Sequence, residues 1–220
     1  MDDLLRRWQY GWGLCRGLEP AADRSTALDV TLNLPHRDRE FFVRPDADPA
    51  PWIDEARNAA RPTWLTVTTN TPDEAAAELT DGGLTLFPER RLLMTIELRA
   101  HPVPTHRHTV LKSTEGPLER VRIPGWQEDA ASGDRNETPT TEAARGMAAI
   151  TNLDAVMHDI HTDPAYRRQG LGSIVMGALA ERARERGATT GLLMATVDGA
   201  ALYRRLGWVP QATMLTATAA

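Results

Sequence analysis

The residue pattern predicts a chain of the α/β class, in its α+β form, with helices and strands interleaved along its length. Three observations carry this expectation. Short alternating or β-branched runs recur between polar turns, and amphipathic helical stretches separate them. Leu153 to Arg186 then reads as a strand, a glycine-containing loop and a long amphipathic helix in direct succession.

Taken in order, Asp2 to Trp12 spaces Leu4, Leu5, Trp8 and Trp12 along one helical face, so its tryptophans are expected in the core. Ala27 to Leu34 and Phe41 to Arg44 read as short strands around the polar turn Pro35 to Glu40, and Trp52 to Ala60 as a helix. Trp64 to Thr69 alternates as a strand. Pro72 opens a helix to Leu79, since its missing N–H falls in a first turn that needs no partner, and Leu84 to Phe87 with Leu92 to Leu98 suggests a hairpin. Arg99 to His108, with Pro102 and Pro104, reads as a linker and puts a boundary near residue 104. His101, His106 and His108 lack cysteine or acidic partners at ligand spacing, so solvent exposure is expected and no metal is predicted.

Beyond the linker, His108 to Lys112 and Leu118 to Ile123 read as strands, Pro124 to Thr141 as a long polar loop, and Ala144 to Thr151 and Leu153 to Thr162 as two further strands. From Gln169 to Arg186, Leu171, Ile174, Val175, Ala178, Leu179 and Ala183 line one face while Glu181, Arg182, Arg184, Glu185 and Arg186 line the other, and Gly187 stops the helix. Thr190 to Ala195 is a strand. Asp198 is the expected cap of a short helix through Tyr203, ended by Gly207.

Composition narrows the function. A chain of 220 residues holds one or two domains, and its 41% apolar and 25% charged content excludes a disordered or fibrous protein. No apolar run approaches the roughly 20 residues of a membrane span, and Met1-Asp2-Asp3 is no secretory leader, so a cytoplasmic protein without a membrane partner is expected. Cys15 is the only cysteine, which rules out an intramolecular disulfide and reads as packing rather than an acyl carrier. A net charge of -5 argues against a nucleic-acid partner. With Lys112 the only lysine, the abundance of arginine reads as composition bias.

The chemically informative run is Asp159 to Ser173. Gly170 and Gly172 let a backbone approach a ligand closely, successive amides at a helix start favour phosphate or pyrophosphate, and Arg167 and Arg168 add charge. A P-loop is excluded because Leu171 follows Gly170 and no lysine is near. The dinucleotide fingerprint is weakened by Val175 where a third glycine or alanine belongs.

This run closely resembles the coenzyme A pyrophosphate loop of the GNAT superfamily of N-acyltransferases, whose Arg or Gln, Gly, and Gly or Ala are matched by Arg167, Gly170 and Gly172. Ile160-His-Thr-Asp-Pro164 is similar to the strand ending that precedes this loop in the family, with Thr162 replacing the usual valine or isoleucine. Ala201 to Trp208 resembles the second signature, Leu-Tyr-x-x-Leu-Gly-Phe, with Trp208 in the aromatic place. The resemblance spans about Ala144 to Trp208. It implies a GNAT fold, a mixed central sheet flanked by helices, and an enzyme that moves an acyl group, chiefly acetyl, from acyl-CoA to an amine by direct attack on the thioester.

Such an attack needs a deprotonated amine, a stabilised oxyanion and a proton for the departing thiolate. By the resemblance, acetyl-CoA or another acyl-CoA is a co-substrate met by Ile160, His161, Thr162, Arg167, Arg168, Gln169, Gly170, Leu171, Gly172 and Ser173. Thr196 stands where many relatives contact the coenzyme through an asparagine, and Tyr203 faces the sulfur as general acid. In a regular strand His158 shares a face with Ile160 and Thr162, and Asp159 with His161. Some family members carry a histidine two residues before the position of Ile160, and imidazole titrates near neutrality, so His158 is the expected base with Asp159 and His161 as substitutes. A rival reading keeps the loop without turnover, as a non-catalytic acyl-CoA binding or sensing module. Tyr203 argues against it.

A complete GNAT domain walls its acceptor site with two helices after the first strand, and His108 to Ala144 shows no helical pattern of that length. Trp64 to Leu98 resembles the second half of the same fold without the phosphate loop. A pseudo-tandem chain is therefore expected. Residues 1–104 form a degenerate GNAT-like half that walls the acceptor, and residues 105–220 form the acyl-CoA-binding catalytic half. The acceptor is expected to be a small-molecule amine. Dimers are common among relatives, which leaves a homodimer open.

Overall fold

The computed structural model describes residues 2–45, 47–125 and 141–219. Helix α1 (Asp2–Cys15) is followed by β1 (Ala22–Arg24), β2 (Ala27–Leu34), β3 (Arg37–Val43), α2 (Ala50–Arg57), β4 (Thr63–Thr69), α3 (Pro72–Asp81), β5 (Leu84–Leu86) and β6 (Arg91–Glu97). The second half contains β7 (Leu111–Glu115), β8 (Leu118–Gly125), β9 (Thr141–Thr151), β10 (Asp154–Thr162), α4 (Leu171–Glu185), β11 (Thr190–Ala195), α5 (Val197–Arg205) and β12 (Val209–Ala219). Most of the expected loop from Pro124 to Thr141 lies outside the described residues.

All twelve strands join one mixed sheet, ordered β1-β2-β3-β4-β12-β6-β11-β10-β9-β8-β7, with β5 also pairing β12. Among the described strands only β3 with β4 and β10 with β11 run parallel, and a helix makes each connection, α2 in the first half and α4 in the second. The order strand, helix, strand, helix, strand thus occurs twice, as β3-α2-β4-α3-β5 and as β10-α4-β11-α5-β12.

The two occurrences are woven together. β6, from the first half, lies antiparallel between β11 and β12 of the second. The distal part of β12 in turn pairs with β4 and with β5 of the first half. The hairpin expected from Leu84 to Leu98 is therefore not formed: β5 and β6 each take β12 as a partner instead of one another. β12 reaches both because it is eleven residues long, with a register shift between Pro210 and Ala212.

Three apolar clusters follow from this weave. Phe41, Val43, Leu65, Val67, Leu215 and Ala217 pack under α2 and α3. Met94, Ile96, Ala155, Met157, Leu193 and Trp208 pack under α4 and α5 on the same side of the sheet. On the opposite side Leu5, Trp8 and Trp12 of α1 cover Val30 and Phe42 from the first half together with Leu93, Val156, Leu192 and Met214. The tryptophans are core, as their spacing predicts. Trp8 and Trp12 stack at 5.8 Å and both meet Phe42 edge-on. Arg7 fixes the helix to the start of β10 through two hydrogen bonds to Asp154, at 2.8 and 2.5 Å.

α1 sits this close to β10 because residue 11 has no side chain: a Cβ there would lie 2.3 Å from Val156 Cγ2 and 2.6 Å from its Cβ. Gly13 differs, since a Cβ there would meet only Gln9 Nε2, at 3.7 Å. Gly11→Ala is expected to destabilise the protein by about 1–3 kcal/mol through overpacking. Gly13→Ala should be neutral or stabilising by up to about 1 kcal/mol, through helix propensity. Thermal or urea denaturation of the two variants checks the contrast.

Candidate active site

β10 and β11 share their parallel ladder only from Asp154 opposite Thr190 to Val156 opposite Leu192. Past that point each follows its other neighbour, β10 along β9 to Thr162 and β11 along β6 to Ala195. The strands therefore part. Along residues 157–162 the edge that faced β11 has no strand opposite it among the described residues, so its backbone groups are open to an extended polar guest.

β10 also changes phase within this stretch. Its pairing with β9 is irregular between His158 and His161, where Asp159 takes a φ of +50° and two residues oppose one. His158 follows Val156 on the α1 side, and after the bulge His161 pairs with Arg145. Ile160 turns to the α4 side, toward which a Cβ on Gly146 would also point, 2.6 Å from Ile160 Cδ1. The alternation expected for a regular strand thus fails. His158 and Ile160 occupy opposite faces, because the inserted residue resets the period. Asp159 is held by Arg145, Nε to Oδ2 at 2.6 Å and Nη2 to Oδ1 at 3.3 Å, and this bond, with a second to Glu142, raises the arginine's pKa.

His158 is half-buried at the end of this pairing. Burial lowers its pKa below the ordinary 6.5 and the Arg16 guanidinium lowers it further, against an opposing pull from Asp159. Its imidazole is therefore neutral at pH 7. His161, three residues further along the strand and past the bulge, is exposed.

At the mouth of the parted strands the Asp163 side chain accepts from Ala165 N at 2.9 Å and shapes a turn through Pro164–Tyr166. Arg167 folds back, its Nε donating to Thr162 O at 3.4 Å, and Arg168, Gln169 and Gly170 are exposed. Gly170 adopts φ +79° at the cap of α4, a conformation that suits glycine, and a Cβ there would meet nothing within 4 Å. The amides of Gly170, Leu171 and Gly172 open the helix, where no residue of the preceding turn can accept from them. Gly172 lets α4 approach α5 and β10, since its Cβ would fall 3.1 Å from Leu202 and 3.7 Å from Thr162 Oγ1. Ser173 begins the half-buried flank.

α5 brings Tyr203 into the core beside Trp208, ring centroids 6.2 Å apart, and burial pushes its phenol up to about 12. The cap of α5 is Thr196 rather than the expected Asp198, its hydroxyl accepting from Gly199 N at 3.2 Å. That side chain, expected to face the coenzyme, is thus already engaged as an acceptor. His101 is a further correction. It is buried at 3% exposure, with Nδ1 2.8 Å from Pro102 O and its ring edge-on to Trp208 at 6.1 Å. The linker does not hang in solvent, because glycine at 177 lets Pro102 to Pro104 lie on α4, where a Cβ would come within 2.8 Å of Pro104 Cδ. His106 and His108 are exposed as expected.

Residues 126–208 match the family model described as the Acetyltransferase (GNAT) family. By that model these residues are a GNAT acetyltransferase domain, over less than half of the chain. Among solved structures, a GCN5-related N-acetyltransferase from Kribbella flavida is similar over 100% of this chain and 95% of its own, at 20% identity and a TM-score of 0.67. Another from Sphaerobacter thermophilus covers 97% and 90%, at 13% identity and a TM-score of 0.56. A tandem GNAT protein from the clavulanic acid biosynthesis pathway covers 92% and 81%, at 14% identity and a TM-score of 0.54. At these identities the likeness is one of fold. No curated protein sequence matches the chain.

The neighbour of His158 that sequence reasoning missed is Arg16, directly after α1 and outside the matched stretch. The lowered pKa of His158 makes its influence measurable. The His158 imidazole signal in an NMR titration should move with a midpoint below 6.5, and in Arg16→Gln that midpoint should rise, because one positive neighbour is gone. A midpoint above 6.5, or no response to the substitution, contradicts this electrostatic assignment.

Proposed function

We propose that the protein transfers the acetyl group of acetyl-CoA to an amine, with residues 105–220 holding the donor and residues 1–104 walling the acceptor side. The observation that carries this reading is the parting of β10 from β11 with the Gly170 loop at its mouth. The open edge at residues 157–162 suits an amide-containing arm, and the amides of Gly170, Leu171 and Gly172 beside Arg167 and Arg168 suit a pyrophosphate. Acetyl-CoA, the donor this family uses in general, supplies the thioester.

The remaining work falls to this chain's own side chains. His158 is neutral at pH 7 and takes the proton of the attacking amine, directly or through water. Tyr203, pushed up to about 12, keeps its proton throughout the neutral range and donates a hydrogen bond to the departing sulfur. A thiolate leaves readily, so a covalent nucleophile is unnecessary. Cys15 is unsuited to that part, since burial pushes its thiol up to about 12 as well. On the acceptor side α1 takes the part of the two expected helices, since no helix lies between β7 and β10 among the described residues. It lies across β10 with its last residue, Cys15, Sγ 3.8 Å from Val156 O.

The test is release of free thiol from acetyl-CoA in the presence of a panel of small amines. Turnover with at least one amine is expected, with kcat reduced about 100-fold or more in His158→Ala and in Tyr203→Phe. Binding of acetyl-CoA without thiol release from any amine would instead establish a binding or sensing module and overturn the catalytic reading.

A further inference from the structure

We propose that the amine acceptor carries a carboxylate and that the Arg16 guanidinium, with Arg37 behind it, is the group that receives it. The inference rests on the acyl-transfer reading above and names the class of substrate for that same site.

The placement of Arg16 is built into the fold. α1 ends because Gly17 adopts φ +64°, with Gly17 N bonded to Leu14 O at 3.1 Å and Leu18 N returning to Gly13 O at 3.0 Å. This stop leaves Arg16 directly after Cys15, whose sulfur lies on Val156, two residues before His158 on the same side of β10. The Arg16 Cζ lies 5.1 Å from the Trp12 ring centroid, and the Arg37 Cζ lies 5.7 Å from the same ring and 4.4 Å from that of Trp64. Two guanidiniums therefore gather about one indole, which orients them by cation–π contact.

The two guanidiniums share a single carboxylate, that of Glu40. Arg37 is paired with the buried Glu40, whose Oε1 accepts from Thr66 at 2.6 Å, and Thr66 in turn meets Thr216 at 2.8 Å. Glu40 is thus consumed inside the sheet. Arg16 is exposed and has no ion pair among the described residues, and His158 adds no charge when neutral. One surplus positive charge consequently stands beside the expected base. A simple ammonium ion would be repelled there, whereas a molecule with a carboxylate near its amine brings one negative charge to meet it. A guanidinium offers a planar fork that a carboxylate matches with two parallel hydrogen bonds. The single surplus charge fits a monoanion better than a phosphate dianion.

Thiol release from acetyl-CoA is measured with amino acids, with their amides or decarboxylated amines, and with phosphoethanolamine. The wild-type protein should favour the carboxylated amines by roughly tenfold or more in kcat/KM, about the effect of one charge-assisted contact. Arg16→Gln should remove most of that preference through KM, and Arg16→Lys should retain part of it. Arg99→Gln, a surface arginine paired with Glu97, should leave the preference intact. Equal use of neutral amines, with a ratio unmoved by Arg16→Gln, overturns this inference while acyl transfer stands. So does a preference for phosphoethanolamine. Absence of release from every amine overturns the acyl-transfer reading and this one with it.

Discussion

Past Val156 and Leu192 the hydrogen bonds joining β10 to β11 run out, and the geometry of the candidate site follows from what holds the two strands apart. Strands released from one another tend to collapse unless each has another partner, because unpaired backbone groups are costly to bury. Here β9 supplies that partner for β10, and β6 supplies it for β11. β6 comes from the other half of the chain, so the opening in the second half is braced by the first. The same weave makes β12 the seam of the molecule, bonded to β6 along its first residues and to β4 and β5 along its last.

α1 completes the arrangement on the opposite face. Its aromatic side touches strands from both halves, and Gly11 brings it down onto Val156, so its end arrives where β10 bulges. The bulge turns His158 toward this helix and Ile160 toward α4. In the proposed reading this sorts donor-side and acceptor-side groups to opposite faces of a single strand. An amine entering from the α1 side and an acyl chain lying in the parted edge can meet at the strand between them. The charges divide accordingly, with Arg167 and Arg168 at the mouth and Arg16 and Arg37 at the end of α1.

The Gly170 loop and α4 were legible in the sequence because their signals are local. A 3.6-residue period over Leu171 to Ala183 and two closely spaced glycines specify a loop and helix whatever surrounds them. The features that were not legible are those in which a distant segment decides. Leu84 to Leu98 has the turn residues of a hairpin, yet β12 takes both of its strands as partners, and the threonine- and alanine-rich Val209 to Ala219 carries little apolar pattern to announce itself. The phase of β10 was misread because alternation presumes a regular strand, and Asp159 interrupts it. Arg16 was hidden by the abundance of arginine, and His101 by prolines that mark a linker but do not say what it lies on.

The central claim is that the parted edge of β10 and the Gly170 loop together hold the acyl donor. Backbone hydrogen exchange of the full chain with and without acetyl-CoA tests it most directly. Slowed exchange confined chiefly to residues 157–162 and 170–173 is the expected result. Binding of acetyl-CoA that leaves those amides unprotected, or protects the β3–α2 connection of the first half instead, would contradict it.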